Sequence, residues 1–216
     1  MHKDSAFAVG TGIKFLKFPE ETKEIRDNRK CIETMRYFNE SELLTTTAAA
    51  ILLNTSRMVA QKLLSKLWKA HLIKCVEVVT NSVPERVFKI WASTDKMLPK
   101  SPNEACRLAA LSAFYGRAKN NLPGFVWDIK RRNKAKKIYA YMTYLQPGEK
   151  KKSTLLIDAP RRGEEPNPEA DIIIFPTLEE AKTLTPAGKR YTTDYILLNR
   201  AIPFENLISD PVKNTI

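Results

Sequence analysis

The spacing of apolar positions changes along the chain, and each change predicts an element. Over residues 21–38 the apolar side chains Ile25, Cys31, Ile32, Met35 and Phe38 recur at helical spacing, and Asn39 closes the run. A turn follows, then a short helix over 47–53 whose alanines, Ala48, Ala49 and Ala50, are small enough to let another helix pack closely. Asn54-Thr55-Ser56 is a cluster of helix-capping residues, and the helix it opens is expected over 57–70. Ala60, Leu63, Leu64 and Leu67 form its apolar stripe, whereas Arg57, Gln61, Lys62, Lys66 and Lys69 lie off it. The period then becomes extended. Residues 73–79 and 86–91 are β-rich runs joined by turn-type residues at 80–85, which predicts a hairpin. Ahead of all this, residues 1–20 mix Gly10, Gly12 and Pro19 with Phe7, Val9, Ile13, Phe15, Leu16 and Phe18, the pattern of an arm that docks on a body.

Helix, helix, helix and hairpin in that order is the plan of a winged helix-turn-helix, here between about Asn28 and Ala92. The string Leu44-Thr45-Thr46-Thr47-Ala48, then Asn54-Thr55-Ser56, the leucines from Leu63 to Leu67, and Leu72-Ile73 resemble the winged-helix pattern of bacterial regulators and of plasmid and mobile-element proteins. In those families a threonine caps the second helix, a polar cluster opens the third, and a Leu-Ile pair leads into the wing. Before that pair they usually carry glycine, because the helix ends in a left-handed residue; this chain has His71, which tolerates that region better than most. No partner residues are in view to make His71 a metal ligand or a base.

Pro99-Lys100-Ser101-Pro102 marks the expected domain boundary, with Ser101 as cap and Pro102 at the first position of a helix running to about Lys119. Beyond it, strands are predicted at 125–129, 138–145, 154–157 and 171–175, a helix at 178–184 and a strand at 191–198. The expected fold class is therefore α+β: an N-terminal arm (1–20), a winged helix-turn-helix (21–95), a smaller α/β domain for dimerisation or partner docking (101–200) and a tail (201–216). Trp127-Asp128 after a helix, and Asp171 opening the apolar run Ile172-Ile173-Ile174-Phe175 after Pro168-Glu169-Ala170, resemble the C-terminal region of the replication-relaxation family of plasmid and conjugative-element proteins. The resemblance implies a nuclease-like α/β domain. Asp128-Ile129-Lys130 has the acid-x-lysine spacing of such sites, but the acid that should precede it is absent, and no lysine stands where the strand after Asp171 should supply one. No catalytic residue is assigned.

Charge changes the picture more than overall composition does. The 216 residues carry a net charge of +12 with a pI near 9.6, which points to a polyanionic partner. Residues 1–100 hold 17 basic and 11 acidic side chains, residues 101–152 hold 12 and 3, and residues 153–216 hold 7 and 10. The last third is therefore not expected to face phosphates. Cys31, Cys75 and Cys106 have no metal-binding spacing and read as reduced structural thiols, and with only His2 and His71 beside them neither metal nor cofactor is expected. No apolar run approaches the roughly 18 residues of a membrane span, and the start lacks a secretory pattern, so a cytoplasmic, nucleoid- or plasmid-associated location is expected.

A winged helix places the start of its third helix in the major groove and its wing on backbone or minor groove. Thr55, Ser56, Arg57 and Gln61 are then the candidate base readers, with Arg57 suited to guanine and Gln61 to adenine. Lys62, Lys66, Asn81, Ser82 and Arg86 are candidate phosphate contacts, and Arg131, Arg132 and Lys134 in the basic run 130–137 extend the surface. Trp68 reads as core or interface, since a duplex offers no unstacked base. The expected function is duplex DNA binding, as a transcription regulator or a replication or transfer accessory factor, by a homodimer on two half-sites. Two alternatives stay open: a metal-dependent nuclease using Asp128 or Asp171, and a scaffold whose winged helix binds protein.

Overall fold

A computed structural model describes residues 5–25, 29–81, 86–131, 138–146 and 151–210. Among them the chain is mixed α and β, with two sheets and six helices. The first half runs β1 (Gly10–Leu16), α1 (Arg29–Ser41), β2 (Leu43–Thr45), α2 (Thr46–Leu52), α3 (Arg57–Lys69), β3 (Ile73–Thr80) and β4 (Arg86–Ser93). The second runs α4 (Pro102–Ala118), β5 (Val126–Arg131), β6 (Ile138–Leu145), β7 (Lys152–Asp158), β8 (Ile172–Phe175), α5 (Leu178–Leu184), β9 (Arg190–Thr193) and α6 (Asp194–Leu198), with a 3-10 turn at Phe204–Asn206. No helix among the described residues is long and apolar enough to cross a membrane.

Local chemistry sets most of the helix ends. Thr45 Oγ1 accepts the Ala48 N–H at the start of α2, Ser56 Oγ accepts the Val59 N–H at the start of α3, and Ser101 Oγ accepts the Glu104 N–H at the start of α4. Both α2 and α3 stop in the same way. The Thr55 N–H reaches back to the Ala50 carbonyl and the Leu72 N–H to the Leu67 carbonyl, while Asn54 and His71 take φ of 46° and 58°. The left-handed residue expected at His71 is there.

Several segments depart from the expected elements, two of them because a distant partner outcompetes local pattern and one because of a cap hidden within it. Residues 10–16 of the arm form β1, an outer strand antiparallel to β3, with Gly10 opposite Thr80 and Leu16 opposite Cys75. The first helix begins at Arg29 and not near Glu21. Residues 22–25 lie instead against the end of α3, where the Lys23 N–H donates to the Lys69 carbonyl and Thr22 Oγ1 sits 3.2 Å from His71 Nδ1. The strand expected over 191–198 divides, because Thr193 caps α6 through the Ile196 N–H and Asp194 occupies the helix's first turn, where a carboxylate is favoured.

The first sheet has the order β1-β3-β4-β2, all antiparallel; β2, the short strand between the first two helices, pairs with the second strand of the hairpin. The second has the order β5-β6-β7-β8-β9, antiparallel as far as β7 and parallel from there, with α5 making the crossover from β8 to β9. Between the sheets runs α4, buried at every position from Ala105 to Ala118. A Cβ on Gly116 would stand 3.1 Å from Ala48 Cα, so α4 and α2 touch nearly backbone to backbone, as the small residues of α2 suggested. At Gly10 a Cβ would meet the Pro102 carbonyl oxygen at 2.6 Å, which fixes glycine where β1 crosses the start of α4. One apolar cluster extends from Phe38 and Leu64 through Leu108 and Phe114 to Trp127 and Ile157, so packing is continuous across the junction at 99–102.

Candidate nucleic-acid interface

The helix α3 buries Ala60, Leu64 and Leu67 and turns its other sides outward. Arg57, Met58, Val59, Lys62 and Lys69 are exposed, and Gln61, Ser65 and Lys66 are half-buried. Its four cations, Arg57, Lys62, Lys66 and Lys69, have no acidic residue on the same helix, and none is in an ion pair with a described residue. Met58, Lys62, Lys66 and Lys69 follow one another at three- and four-residue steps, which puts them along one side of the helix. A fifth cation arrives from the far end of the chain. Arg200 donates from Nη1 to the Thr55 carbonyl at 2.8 Å, at the mouth of α3. Its charge is also felt by Arg117, whose guanidinium burial already holds below its ordinary value and the repulsion from Arg200 lowers further.

Of the candidate readers, Thr55, Ser56 and Arg57 stand together at the N-terminal end of α3, with Ser56 Oγ occupied as the cap. Gln61 faces another way. Its Oε1 accepts from Thr46 Oγ1 at 3.1 Å, its Nε2 donates to Ser65 Oγ at 3.1 Å, and the same Thr46 hydroxyl accepts the buried Trp91 indole N–H at 3.0 Å. Both ends of the amide expected to read adenine are thus committed inside the protein. Trp68 is half-buried and packs against the core. His71 sets both ring nitrogens against the N-terminal segment, with Nε2 2.9 Å from the Pro19 carbonyl, and its ring lies 4.6 Å from that of Phe18.

The hairpin carries the other candidates. Asn81 and Arg86 are exposed where β3 ends and β4 begins, about 23 Å along the strand from its first residue at a rise of roughly 3.3 Å per residue. Ser82 lies outside the described residues. Arg131 does not join the α3 face. Its side chain is only 12 % exposed, donates to the Met97 carbonyl at 2.9 Å and lies between Glu42 at 3.8 Å and Glu104 at 3.9 Å, so its charge is answered within the protein. Arg132 and Lys134 fall outside the described residues. The adjacent Lys130 pairs with Asp128 at 2.5 Å, and that hydrogen bond holds its ammonium above the usual lysine value.

Chain comparison with family models, curated proteins and solved structures finds no match. The acids of the nuclease alternative stand apart. Asp128 is on β5, whereas Asp171 precedes β8, with β6 and β7 between them, and its Oδ2 accepts the Leu156 N–H at 2.8 Å. Among the described residues no three His, Cys, Asp or Glu side chains gather as a metal-holding group.

Sequence reasoning missed Arg200 and the exposed pair Met58 and Val59. Nothing local to residue 200 signals its place beside Thr55, since the two are 145 positions apart. Met58 and Val59 did carry a signal, because they are apolar yet fall outside the stripe of Ala60, Leu64 and Leu67.

Proposed function

We propose that this chain binds double-stranded DNA through a winged helix built from α1 to β4, and acts as a sequence-specific regulator or as a replication or transfer accessory factor. The observation that carries the reading is the outward side of α3, with four cations, no acid and no ion pair to a described residue. Fixed unpaired cations gain affinity for a duplex by releasing its condensed counterions. Supporting it are the element order, the pairing of β2 with the hairpin strand β4, and the capped, left-handed corner that sets α3 against α2. In this arrangement Thr55, Ser56 and Arg57 face base edges, and Lys62, Lys66, Lys69 and Arg200 face phosphates.

The test is the salt dependence of binding to a short duplex. Four cations on phosphates give a slope of about −3.6 in log affinity against log salt, and Lys62→Ala or Lys66→Ala reduces its magnitude by about 0.9 each. No retardation of any duplex at low salt overturns the proposal. A homodimer on two half-sites is the assembly expected of such a module, read out as a footprint with two protected segments about one helical turn apart.

A further inference from the structure

Two apolar side chains stand where a DNA-reading helix meets base edges. Met58 is 65 % and Val59 41 % exposed, in the first turn of α3 immediately after Arg57. Neither is needed for the core, which α3 reaches through Ala60, Leu64 and Leu67. Valine is also a weaker helix former than the residues that surface positions usually carry, so its presence here is not explained by propensity. The polar group expected to read bases on the next turn, the Gln61 amide, is turned inward to Thr46 and Ser65. What α3 offers outward over its first two turns is therefore Arg57, Met58, Val59 and Lys62.

Resting on the duplex-binding reading above, we infer that Met58 and Val59 select thymine by packing against its C5-methyl group in the major groove. That methyl is the apolar group that distinguishes one base edge from the others, and an apolar side chain gains by covering it. The surroundings favour a nucleic-acid occupant over an apolar protein surface. The pair is bracketed by Arg57 and Lys62, Arg200 anchors on Thr55 close by, and α3 carries no acid to repel phosphates. Arg57 at the helix start remains free to pair with guanine, so the site expected is one in which thymine neighbours a guanine.

The experiment starts from a duplex selected out of random sequence by the full chain. Each thymine is replaced singly by deoxyuridine, which removes the methyl and keeps the base pair. At one or two thymines the wild-type affinity should fall roughly fourfold, the value of one methyl-sized group leaving apolar contact. Met58→Ala and Val59→Ala should bind the uridine duplex as the wild type does and lose the difference between thymine and uridine. Equal wild-type affinity for every uridine duplex overturns the inference; if the slope still depends on Lys62, duplex binding itself stands. Unchanged thymine preference in both alanine variants also overturns it and leaves the pair to a protein contact. Absence of binding to any duplex removes both this inference and the reading beneath it.

Discussion

Replacing Arg161 by methionine tests what ties the N-terminal segment and α6 to the second sheet. The Arg161 side chain is 1 % exposed and donates to four acceptors: the carbonyls of Ala159 at 3.1 Å, Phe7 at 3.2 Å and Ile174 at 2.9 Å, and Asp194 Oδ2 at 2.9 Å. Asp194 is fully buried and also accepts from Ser5 Oγ at 2.5 Å. Removing the cation strands a carboxylate in the interior, which costs about 3–5 kcal/mol, a large share of the roughly 5–15 kcal/mol that a domain possesses. Burial already raises the Asp194 carboxyl above its ordinary value, and Arg161 and Ser5 pull it back only in part, so without Arg161 it rises further. The sign follows. A carboxyl whose folded value is raised favours the folded state most where it is protonated, so the deficit of Arg161→Met is largest near pH 7 and shrinks as pH falls through that raised value. Urea unfolding followed by tryptophan fluorescence at pH 7 and pH 5 measures both. Arg161→Met with Asp194→Asn should recover part of the loss, with a coupling of about 2 kcal/mol. A deficit below about 1 kcal/mol at pH 7, or a gap that widens toward pH 5, refutes the argument.

Two further outcomes are expected. Gln61→Ala should lower stability by about 1–2 kcal/mol, because it leaves the buried Thr46 hydroxyl without its acceptor, while base preference stays as in the wild type; thermal melts and duplex competition decide, and altered preference at unchanged stability contradicts the inward geometry. Burial pushes the thiols of Cys75 and Cys106 up to about 12, so both should resist a thiol reagent near pH 8 at any rate faster than unfolding. Their stabilising share is complete below the unfolded value near about 8.5 and is lost as pH rises toward the folded one, so the urea midpoint should fall steadily from about pH 9 to pH 11. A flat midpoint over that range, or prompt labelling at pH 8, counts against buried neutral thiols.

Features decided within a few residues were legible in the sequence. The caps at Ser56 and Ser101, the left-handed stop at His71 and the strand at Ile138–Leu145 each depend on neighbours closer than one helical turn or on simple alternation. What escaped was set by contacts across the chain. Nothing in Gly10–Leu16 itself names β3 as its partner, whose paired residues lie 59 to 70 positions away, and residues 22–25 are drawn out of a helical pattern by Lys69 and His71. The division at 191–198 is local instead: the β-rich opening Tyr191-Thr192-Thr193 hid the capping power of Thr193. Continuity of the core was hidden too. Residues 99–102 have the composition of a linker, yet the helix they introduce is the one around which both sheets pack.

Helical periodicity separates a buried stripe from the rest of a helix, but it does not say what the rest touches. Gln61 and Lys62 are adjacent and both off the stripe, yet one is held by Thr46 from the neighbouring helix and the other is exposed. Arg131 and Arg57 look alike as exposed basic positions until Glu42 and Glu104 close around the first. The distinction lies in the second partner, and that partner is supplied by tertiary structure. The same reasoning gives Arg200 its weight. An acidic last third was expected to face away from phosphates, but an arginine reaching Thr55 places a cation from that third at the mouth of α3. Regional charge therefore ranks segments, whereas the unpaired cations around one helix end define a surface.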